Sequence, residues 1–431
     1  MTSSKKTETP STIAVIGLGY VGLPLAAAFA EAGHAVVGID VDPRRAADVA
    51  RGVSHTNDLP TERLKPLVKA GRLTATTDFG RVRGRDAVII CVPTPLRKTK
   101  DPDLSYIVGA AEKIAPHVRR GQLIVLESTT YPGTTRELLM PILERGGLKA
   151  GRDFHLAFSP ERVDPGNPKY GIRNTPKVVG GLTPACVRAA ADLYSRVCEK
   201  VVSVSTPEAA EMVKLLENTF RAVNIGLVNE VALMCDRLKI NTWEVIDAAA
   251  SKPFGFMPFY PGPGIGGHCI PLDPHYLSWK LKTLNFNARF IELAGDINGR
   301  MPEHTVEKIA AALNDRERSL KGARVLVLGA AYKKDIGDVR ESPALDVIHL
   351  LRAKGARVTY HDPYVPSLRV EGATLRSTPL TAATLKAQDL VAIITNHSVF
   401  DFDFVVKNAR LVFDARNATR GVKSAGKVVT L

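Results

Sequence analysis

Short runs of aliphatic and β-branched residues alternate with longer helical patterns through the first half of the chain. The runs occupy residues 12–16, 35–39, 87–92, 123–126, 178–179 and 201–204. Strand-length runs separated by helices predict a parallel, doubly wound sheet, because parallel strands need a crossover between them. From Thr206 the period changes: Pro207 and Glu208 suit a helix start, and no proline follows until Pro253. Leu216, Val223, Leu227, Val231, Met234 and Leu238 recur at steps of three, four and seven. That spacing predicts one helix of about 34 residues and about 50 Å. A Pro/Gly-rich segment at 254–274 and more helix follow, and a second α/β unit opens at 323–328 and repeats strand, loop, helix and strand through 358–361. The fold class is therefore α/β: two Rossmann-like doubly wound domains joined by a central long helix and a helical domain. The boundaries are read at 1–205, 206–310 and 311–431.

A chain of 431 residues is too long for one core. The net charge of +14, from 58 basic and 44 acidic residues, is spread without a basic run or interleaved aromatics. It suits small polyanions such as dinucleotides and sugar nucleotides better than nucleic acid. Cys91, Cys186, Cys198, Cys235 and Cys269 are odd in number, far apart and never in a CxxC pair. Neither a disulfide framework nor a metal site is expected, and a reducing compartment fits. Residues 13–30 are uncharged and follow Lys5 and Lys6 in the manner of a signal peptide, but they contain three glycines and a proline. Taken as a nucleotide-binding strand, loop and helix, they leave no targeting or membrane segment, and a cytoplasmic protein is expected.

Gly17, Gly19 and Gly22 form G-x-G-x-x-G straight after the first run, and the second run ends at Asp40. Gly17 makes the turn, Gly19 lets backbone approach a pyrophosphate, Gly22 brings helix onto sheet, and Asp40 can accept the ribose hydroxyls. An aspartate there would repel a 2′-phosphate, so NAD is expected rather than NADP. Pro93 and Thr94, and Glu127-Ser128-Thr129-Thr130, follow later runs and fall on the same sheet edge, where open α/β sheets bind ligands.

The stretch 261–274, PGPGIGGHCIPLDP, cannot be the interior of a helix or strand. It predicts a loop whose bare backbone amides face a ligand, with Cys269 exposed as a nucleophile and Asp273 four residues on. A zinc site from His268, Cys269 and His275 is the competing reading, disfavoured by its spacing. The other four cysteines read as small buried hydrophobes. On the long helix Glu211, Lys214 and Asn218 share a face, and a lysine there could steady an oxyanion.

Together these motifs resemble the UDP-glucose and GDP-mannose dehydrogenase family over nearly the whole chain, from GLGYVGLPLA (17–26) through both α/β units. The resemblance rests on Thr129 in ESTT, Glu161 in SPER, Lys214 and Asn218 in KLLEN, Cys269 in GIGGHC, Asp273 in PLDP, and Lys333 and Arg340 in YKKDIGDVRES. It implies a first domain binding NAD through Gly17, Gly19, Tyr20, Val21, Gly22, Asp40, Arg45, Pro93, Thr94 and Thr129, with Arg340 reaching the cofactor. It implies central helices that make a homodimer or higher homo-oligomer, and a last domain for the UDP moiety. Substrate contacts would come from Glu161, Arg162, Lys214, Asn218, Tyr260, Gly264, Gly266, His268 and Lys333. The segments SPERVDPGNP, KPFGFMPFYPGPGIGGHC and RFIELAGDINGRMP look like the branch acting on UDP-N-acetyl-hexosamines, closest to UDP-N-acetylglucosamine 6-dehydrogenases. UDP-N-acetylmannosamine and UDP-glucose are the alternative substrates.

The implied chemistry is a four-electron oxidation at C6. An aldehyde has no hydroxyl to lose, so its further oxidation needs a tetrahedral adduct, which a Cys269 thiolate supplies as a thiohemiacetal leading to a thioester. Lys214 and Asp273 would handle the alcohol proton and oxyanion, helped by Asn218, while Thr129 and Glu161 would position and activate the hydrolytic water. A two-electron hydroxyacid dehydrogenase would explain Lys214 and Asn218 but neither Cys269 nor a second α/β unit. A catalytically silent sugar-nucleotide binding protein would explain none of the four catalytic residue types together.

Overall fold

The computed structural model describes residues 11–56, 58–95, 101–164, 167, 169–267 and 269–431. It divides into two compact units, one running to Glu217 and including Trp279–Asn285, the other comprising Asn218–Ser278 and Phe286–Leu431. The first unit is built on eight strands: β1 (Thr12–Ile16), β2 (Ala35–Ile39), β3 (Leu73–Thr76), β4 (Ala87–Ile90), β5 (Leu123–Leu126), β6 (His155–Phe158), β7 (Lys177–Gly181) and β8 (Val201–Val204). Their order is β3-β2-β1-β4-β5-β6-β7-β8, so the chain reverses direction across the sheet between β1 and β4. Both faces are covered, as the unbroken apolar runs require. Ile13 and Val15 enter one core with Leu23 and Phe29, whereas Ala14 and Ile16 enter another with Val88 and Ile90.

The expectation of a wholly parallel sheet is corrected at one place, since β6 and β7 are antiparallel, with Ala157 opposite Gly181 and Phe158 opposite Gly180. β7 turns back beside β6 through residues 159–176, in which no described residue is helical. β3 and β6 were not foreseen, being only four residues each, LTAT and HLAF, without a run of aliphatic β-branched residues. The run at 87–92 closes earlier than expected, at Ile90.

In the second unit β9 (Arg324–Leu328), β10 (Arg357–His361), β13 (Leu390–Ile393), β14 (Val412–Asp414) and β15 (Val428–Thr430) form a parallel sheet ordered β10-β9-β13-β14-β15. The intervening β11 (Ser367–Val370) and β12 (Ala373–Arg376) make an antiparallel hairpin. Its two-residue turn sets Glu371 at φ +50° and Gly372 at φ +79°, the doubly left-handed geometry that matches strand twist. No described helix is long and apolar enough to cross a membrane.

The long helix spans Pro207–Leu238, 32 residues, and the unit boundary falls within it between Glu217 and Asn218. Its period was legible, but its buried side mixes small and apolar residues, Ala210, Leu215, Ala222, Val228, Ala232 and Cys235, with polar ones, and several of its largest apolar side chains face outward. Glu211, Lys214, Asn218 and Asn229 are buried, whereas Leu216, Leu227, Met234 and Leu238 are exposed. Close approach to the helix Arg289–Asn314 depends on Gly226, where a Cβ would lie 3.1 Å from Ala294 Cα. A buried amide pair locks that crossing: Asn229 Nδ2 donates to Asn298 Oδ1 at 2.8 Å, and Asn298 Nδ2 to the Ala222 carbonyl at 3.1 Å. Asn229 Oδ1 accepts from Gly262 N at 3.0 Å, which ties the Pro/Gly-rich loop to the same joint.

Candidate functional site

The glycine turn after β1 divides its labour between folding and access. Gly17 has φ +90°, and a Cβ there would meet the Cys91 carbonyl oxygen at 2.7 Å; at Gly22 it would meet the Gly17 carbonyl oxygen at 1.9 Å. At Gly19 a Cβ would meet nothing within 4 Å. The first and third glycines are therefore demanded by the protein itself, while the second leaves the backbone bare toward open space, as a dinucleotide phosphate requires. Asp40 is buried and held in place: Oδ2 accepts from Leu18 N at 2.8 Å and Arg45 Nη1 at 3.2 Å, and Oδ1 from Asp42 N at 2.9 Å. Oδ1 retains a lone pair for a ribose hydroxyl. Tyr20 is exposed and Val21 half-buried at the start of the helix. Pro93 and Thr94 follow β4, and Thr129, half-buried, follows β5, all at the carboxyl edge of the sheet. His55, which the sequence did not suggest, closes the turn through Nε2 and the Leu18 carbonyl at 2.7 Å.

A second cluster in the same unit centres on Glu161. Its Oε1 accepts from the backbone N–H groups of Arg162 and Val163 at 2.7 and 2.6 Å, and its Oε2 lies 3.3 Å from Lys177 Nζ. Lys177 also reaches Glu127 Oε2 at 3.0 Å, and Tyr194 OH donates to Glu127 Oε1. Burial works against the charge of Glu161, but Lys177, the Val163 amide and Lys214 together hold its carboxyl below the usual value. For Glu127 burial wins over the Lys177 charge and the carboxyl is raised. Lys214 is buried, and Arg162 is engaged by Glu217 at 2.6 Å and by the Pro176 carbonyl at 2.7 Å. Glu127, Lys177 and Tyr194 were not read as site residues; a lysine opening an otherwise apolar strand was the available signal.

One helical turn before Lys214, Glu211 clasps the segment that follows the Thr129 loop. It accepts from Gly133 N and from the N–H and hydroxyl of Thr135, at 2.6, 2.9 and 2.7 Å. Burial outweighs those bonds and pushes its carboxyl up to about 7.

The remaining candidates lie in the second unit. Cys269 is part-buried, and its carbonyl accepts from Asp273 N at 2.7 Å, which starts the helix Asp273–Lys282. Asp273 is buried and accepts from Asn218 Nδ2, whose own Oδ1 accepts from Arg221 Nη2 at 2.5 Å. Arg221, three residues from Asn218, was missed although helical spacing could have found it. The glycines before the cysteine have a different reason from the one expected. A Cβ at Gly262 would sit 2.5 Å from Arg416 Nη1, at Gly264 3.1 Å from Pro343, at Gly266 2.6 Å from Tyr332 Cβ, and at Gly267 2.8 Å from the Tyr332 ring. These positions are bare because the loop lies flat on the segment carrying Lys333 and Arg340, and Gly267 N donates to the Arg340 carbonyl at 3.1 Å. Burial of Arg416 lowers its guanidinium to about 10 while leaving it cationic at neutral pH. The Arg340 side chain is held by Asp338 at 2.6 Å. Tyr260 stacks on Trp243 and donates to Asp247 at 2.9 Å. His268 lies outside the described residues.

Three family descriptions match consecutive parts of the chain: "UDP-glucose/GDP-mannose dehydrogenase family, NAD binding domain" at residues 11–198, the "central domain" at 208–300 and the "UDP binding domain" at 326–421. A UDP-N-acetyl-D-glucosamine 6-dehydrogenase of Pseudomonas aeruginosa is 35% identical over 393 residues, covering 90% of this chain and 91% of that protein. The solved UDP-D-ManNAc dehydrogenase of Pyrococcus horikoshii superposes with a TM-score of 0.88 at 34% identity, covering 97% of this chain and 98% of the other. An NDP-N-acetyl-D-galactosaminuronic acid dehydrogenase of Methanosarcina mazei Go1 gives 0.84 at 32% identity, covering 98% and 95%.

Replacing Asp40 with Gly removes an acceptor poised for the cofactor ribose and should raise the KM for NAD by about tenfold or more, the equivalent of one charge-assisted hydrogen bond. An unchanged KM would remove Asp40 from the site. Glu211 gives a stability test. Its folded value near 7 exceeds the ordinary 4.5, so its contribution is full below about 4.5 and is lost as pH rises through about 7. Glu211→Gln should therefore narrow the difference between urea midpoints at pH 5 and pH 8; an undiminished difference would assign that pH dependence elsewhere.

Proposed function

As a member of the UDP-glucose/GDP-mannose dehydrogenase family the chain is an NAD-dependent UDP-sugar dehydrogenase, and we propose that it oxidises C6 of a UDP-N-acetyl-hexosamine, foremost UDP-N-acetylglucosamine, to the carboxylate through Cys269. The observation that carries the reading is a part-buried thiol at the end of a loop packed on Tyr332, beside a buried Asp273–Asn218 pair that the exposed Arg221 joins through the Asn218 amide oxygen. The sugar class is supported by named relatives that act on N-acetylated hexosamines.

NAD, when bound, supplies the hydride acceptor, once for each of the two oxidations. Lys214 and Asp273 take up the C6 hydroxyl proton and balance the oxygen's negative charge as the first hydride leaves. Asn218 orients Asp273 by donating to its carboxylate. The Cys269 thiolate then adds to the aldehyde carbon: an S–C bond forms, the carbonyl π pair moves to oxygen, and that oxygen is protonated to the thiohemiacetal. Loss of the second hydride and the hydroxyl proton leaves a thioester. Water, deprotonated by Glu161 and positioned with Thr129, adds to the thioester carbon, and collapse expels the thiolate. One alcohol and one water are consumed, two hydrides leave, and Cys269 is regenerated. Sulfur suits both roles, because a thiolate adds readily to an aldehyde and leaves readily from an acyl group.

Homodimerisation through the helical region is part of the proposal. Phe220, Leu227, Met234 and Leu238 line the outer face of the long helix, and Phe290 and Leu293 are exposed on the helix beside it. An apolar stripe opposite a buried polar one is what an unsatisfied interface looks like, and a second copy presents a matching surface.

Incubating the enzyme with NAD and, in turn, UDP-N-acetylglucosamine, UDP-N-acetylmannosamine, UDP-N-acetylgalactosamine and UDP-glucose should yield two NADH and one uronate per sugar, fastest with the first. One NADH per sugar would reduce the reaction to a two-electron oxidation, and preference for another sugar would reassign the substrate. Cys269→Ser should bind NAD normally but release no carboxylate at a measurable rate; sustained uronate formation by that variant would refute covalent catalysis.

A further inference from the structure

We propose that Lys177 is a positioning residue for Glu161, holding its carboxylate charged and fixed for thioester hydrolysis, with Glu127 and Tyr194 anchoring the lysine from behind. The inference rests on the reading of Glu161 as the hydrolytic base. Its geometric basis is the one antiparallel pair of the first sheet. β6 and β7 are registered with Phe158 opposite Gly180. Continued past the strand ends, that register sets position 161 opposite position 177, and the side chains do meet, with Nζ 3.3 Å from Oε2. Glu127 follows β5, on the other side of β6, and takes the same ammonium at 3.0 Å. The lysine, at the start of β7, therefore meets the carboxylate on the continuation of β6 and reaches on to the one that follows β5.

The two carboxylates are not equivalent. Glu127 is fully buried, with one oxygen taken by Lys177 and the other by Tyr194 OH, which leaves it no access to a reacting water. Glu161 keeps 16% of its side chain exposed, with Oε1 fixed by two backbone N–H groups and Oε2 by Lys177. Each Glu161 oxygen retains acceptor capacity toward a water, while rotation of the carboxylate is blocked. A buried ion pair is poor evidence of stability, because desolvation consumes most of its attraction and apolar side chains of similar size pack as well. A buried lysine shared between an enclosed carboxylate and an accessible one is better explained by what it does to the accessible one. The groups facing Glu161 are Lys177, Lys214, Glu127, Cys91 and Cys198, with Tyr194 behind Glu127 and with Arg162 turned aside to Glu217.

A base acts in its ionised form, so hydrolysis is lost as pH falls through the Glu161 value. Withdrawing Lys177 leaves two like charges facing each other and moves that acidic limb to higher pH, by about 1 to 3 on the pH scale for removal of one close opposite charge. Withdrawing the Glu127 charge alone moves it the other way, since Lys177 then serves Glu161 only. Opposite displacements from two neighbouring substitutions are not produced by a general loosening of the fold.

The test uses the full-length enzyme with NAD and UDP-N-acetylglucosamine, following NADH release before and after the first turnover across pH. Lys177→Met should give two NADH per active site at close to the parental rate and then stall. Its steady-state rate at about pH 5 should fall severalfold or more relative to the parent, recovering as pH rises. Lys177→Arg should restore most of the rate. Glu127→Gln, which keeps an acceptor for Tyr194 and provides a variant with little risk to folding, should displace the acidic limb to lower pH. If Glu161→Gln stalls after two NADH but neither Lys177→Met nor Glu127→Gln moves the limb, the role assigned to Lys177 is wrong and Glu161 remains the base. If Glu161→Gln turns over like the parent, the reading of Glu161 itself falls.

Discussion

A carboxylate taken out of water needs cations, N–H groups or hydroxyls to accept from, and this chain buries several around a single helix. Glu211 lies against the amides of Gly133 and Thr135, Lys214 contributes positive charge to Glu161, and Asn218 donates to Asp273. Glu211, Lys214 and Asn218 thus form a row of polar groups at steps of three and four on the inward side of the helix Pro207–Leu238, among buried apolar residues such as Ala210, Leu215 and Ala222. Such a face adds little to stability, since desolvation and pairing nearly cancel. What it provides is fixed orientation, because a buried polar group satisfied by one arrangement is heavily penalised in any other. The glycine loop in the second unit obeys the same rule through Asn229, whose amide binds Asn298 on one side and Gly262 on the other.

The two α/β units show how one local pattern can be open in one copy and closed in another. In each, a strand ends in a glycine with positive φ, and an aspartate follows the neighbouring strand: Gly17 with Asp40, Gly329 with Asp362. Asp40 is met by two backbone N–H groups and by Arg45, a half-exposed side chain. Asp362 accepts from Ala330 N, Ala331 N and Tyr364 N, and also from Nε2 of the fully buried His397, whose Nδ1 accepts from Asp335 N. The second aspartate has become an internal brace for the Tyr332–Asp335 segment. Its Oδ2 is filled from inside the protein by two backbone N–H groups and an imidazole, whereas Oδ2 of Asp40 is met by one backbone N–H and by Arg45.

Patterns local in sequence were readable, and those set by non-local pairing were not. The strand at 12–16, the glycine turn and the end of the second strand at Asp40 obey short-range rules, so both element type and chemistry came through. The long helix was found within two residues of its observed length. Its orientation was not, because apolar periodicity reports that one face differs from the other and carries no information about which face meets the rest of the chain. Lys177 escaped for a related reason. Its partners stand 50 and 16 positions away, and only the antiparallel turn-back of β7 on β6 brings them together. The glycines of 262–267 were rightly read as a loop, but the surface they accommodate is Tyr332, Pro343 and Arg416, residues from a different part of the chain.

The inverted helix also bears on assembly. A helix with Glu211, Lys214, Asn218 and Asn229 inside and Leu227, Met234 and Leu238 outside keeps only part of the hydrophobic gain that normally holds a helix to its neighbours, since its buried apolar side chains, Ala210, Leu215, Ala222, Val228, Ala232 and Cys235, are mostly small. Each large apolar side chain moved from water into a packed interface contributes about 1.5–3 kcal/mol, so covering four or five of them would offset the weak inward face. On the reading that a second copy supplies that cover, dimerisation and the polar active-site face are two sides of one arrangement. The helix can devote its inner surface to oriented charge because its outer surface is stabilised elsewhere. A sequence that moved its leucines inward to stabilise the monomer would have to displace Lys214 or Asn218, and with them the groups assigned to the proton and the oxyanion.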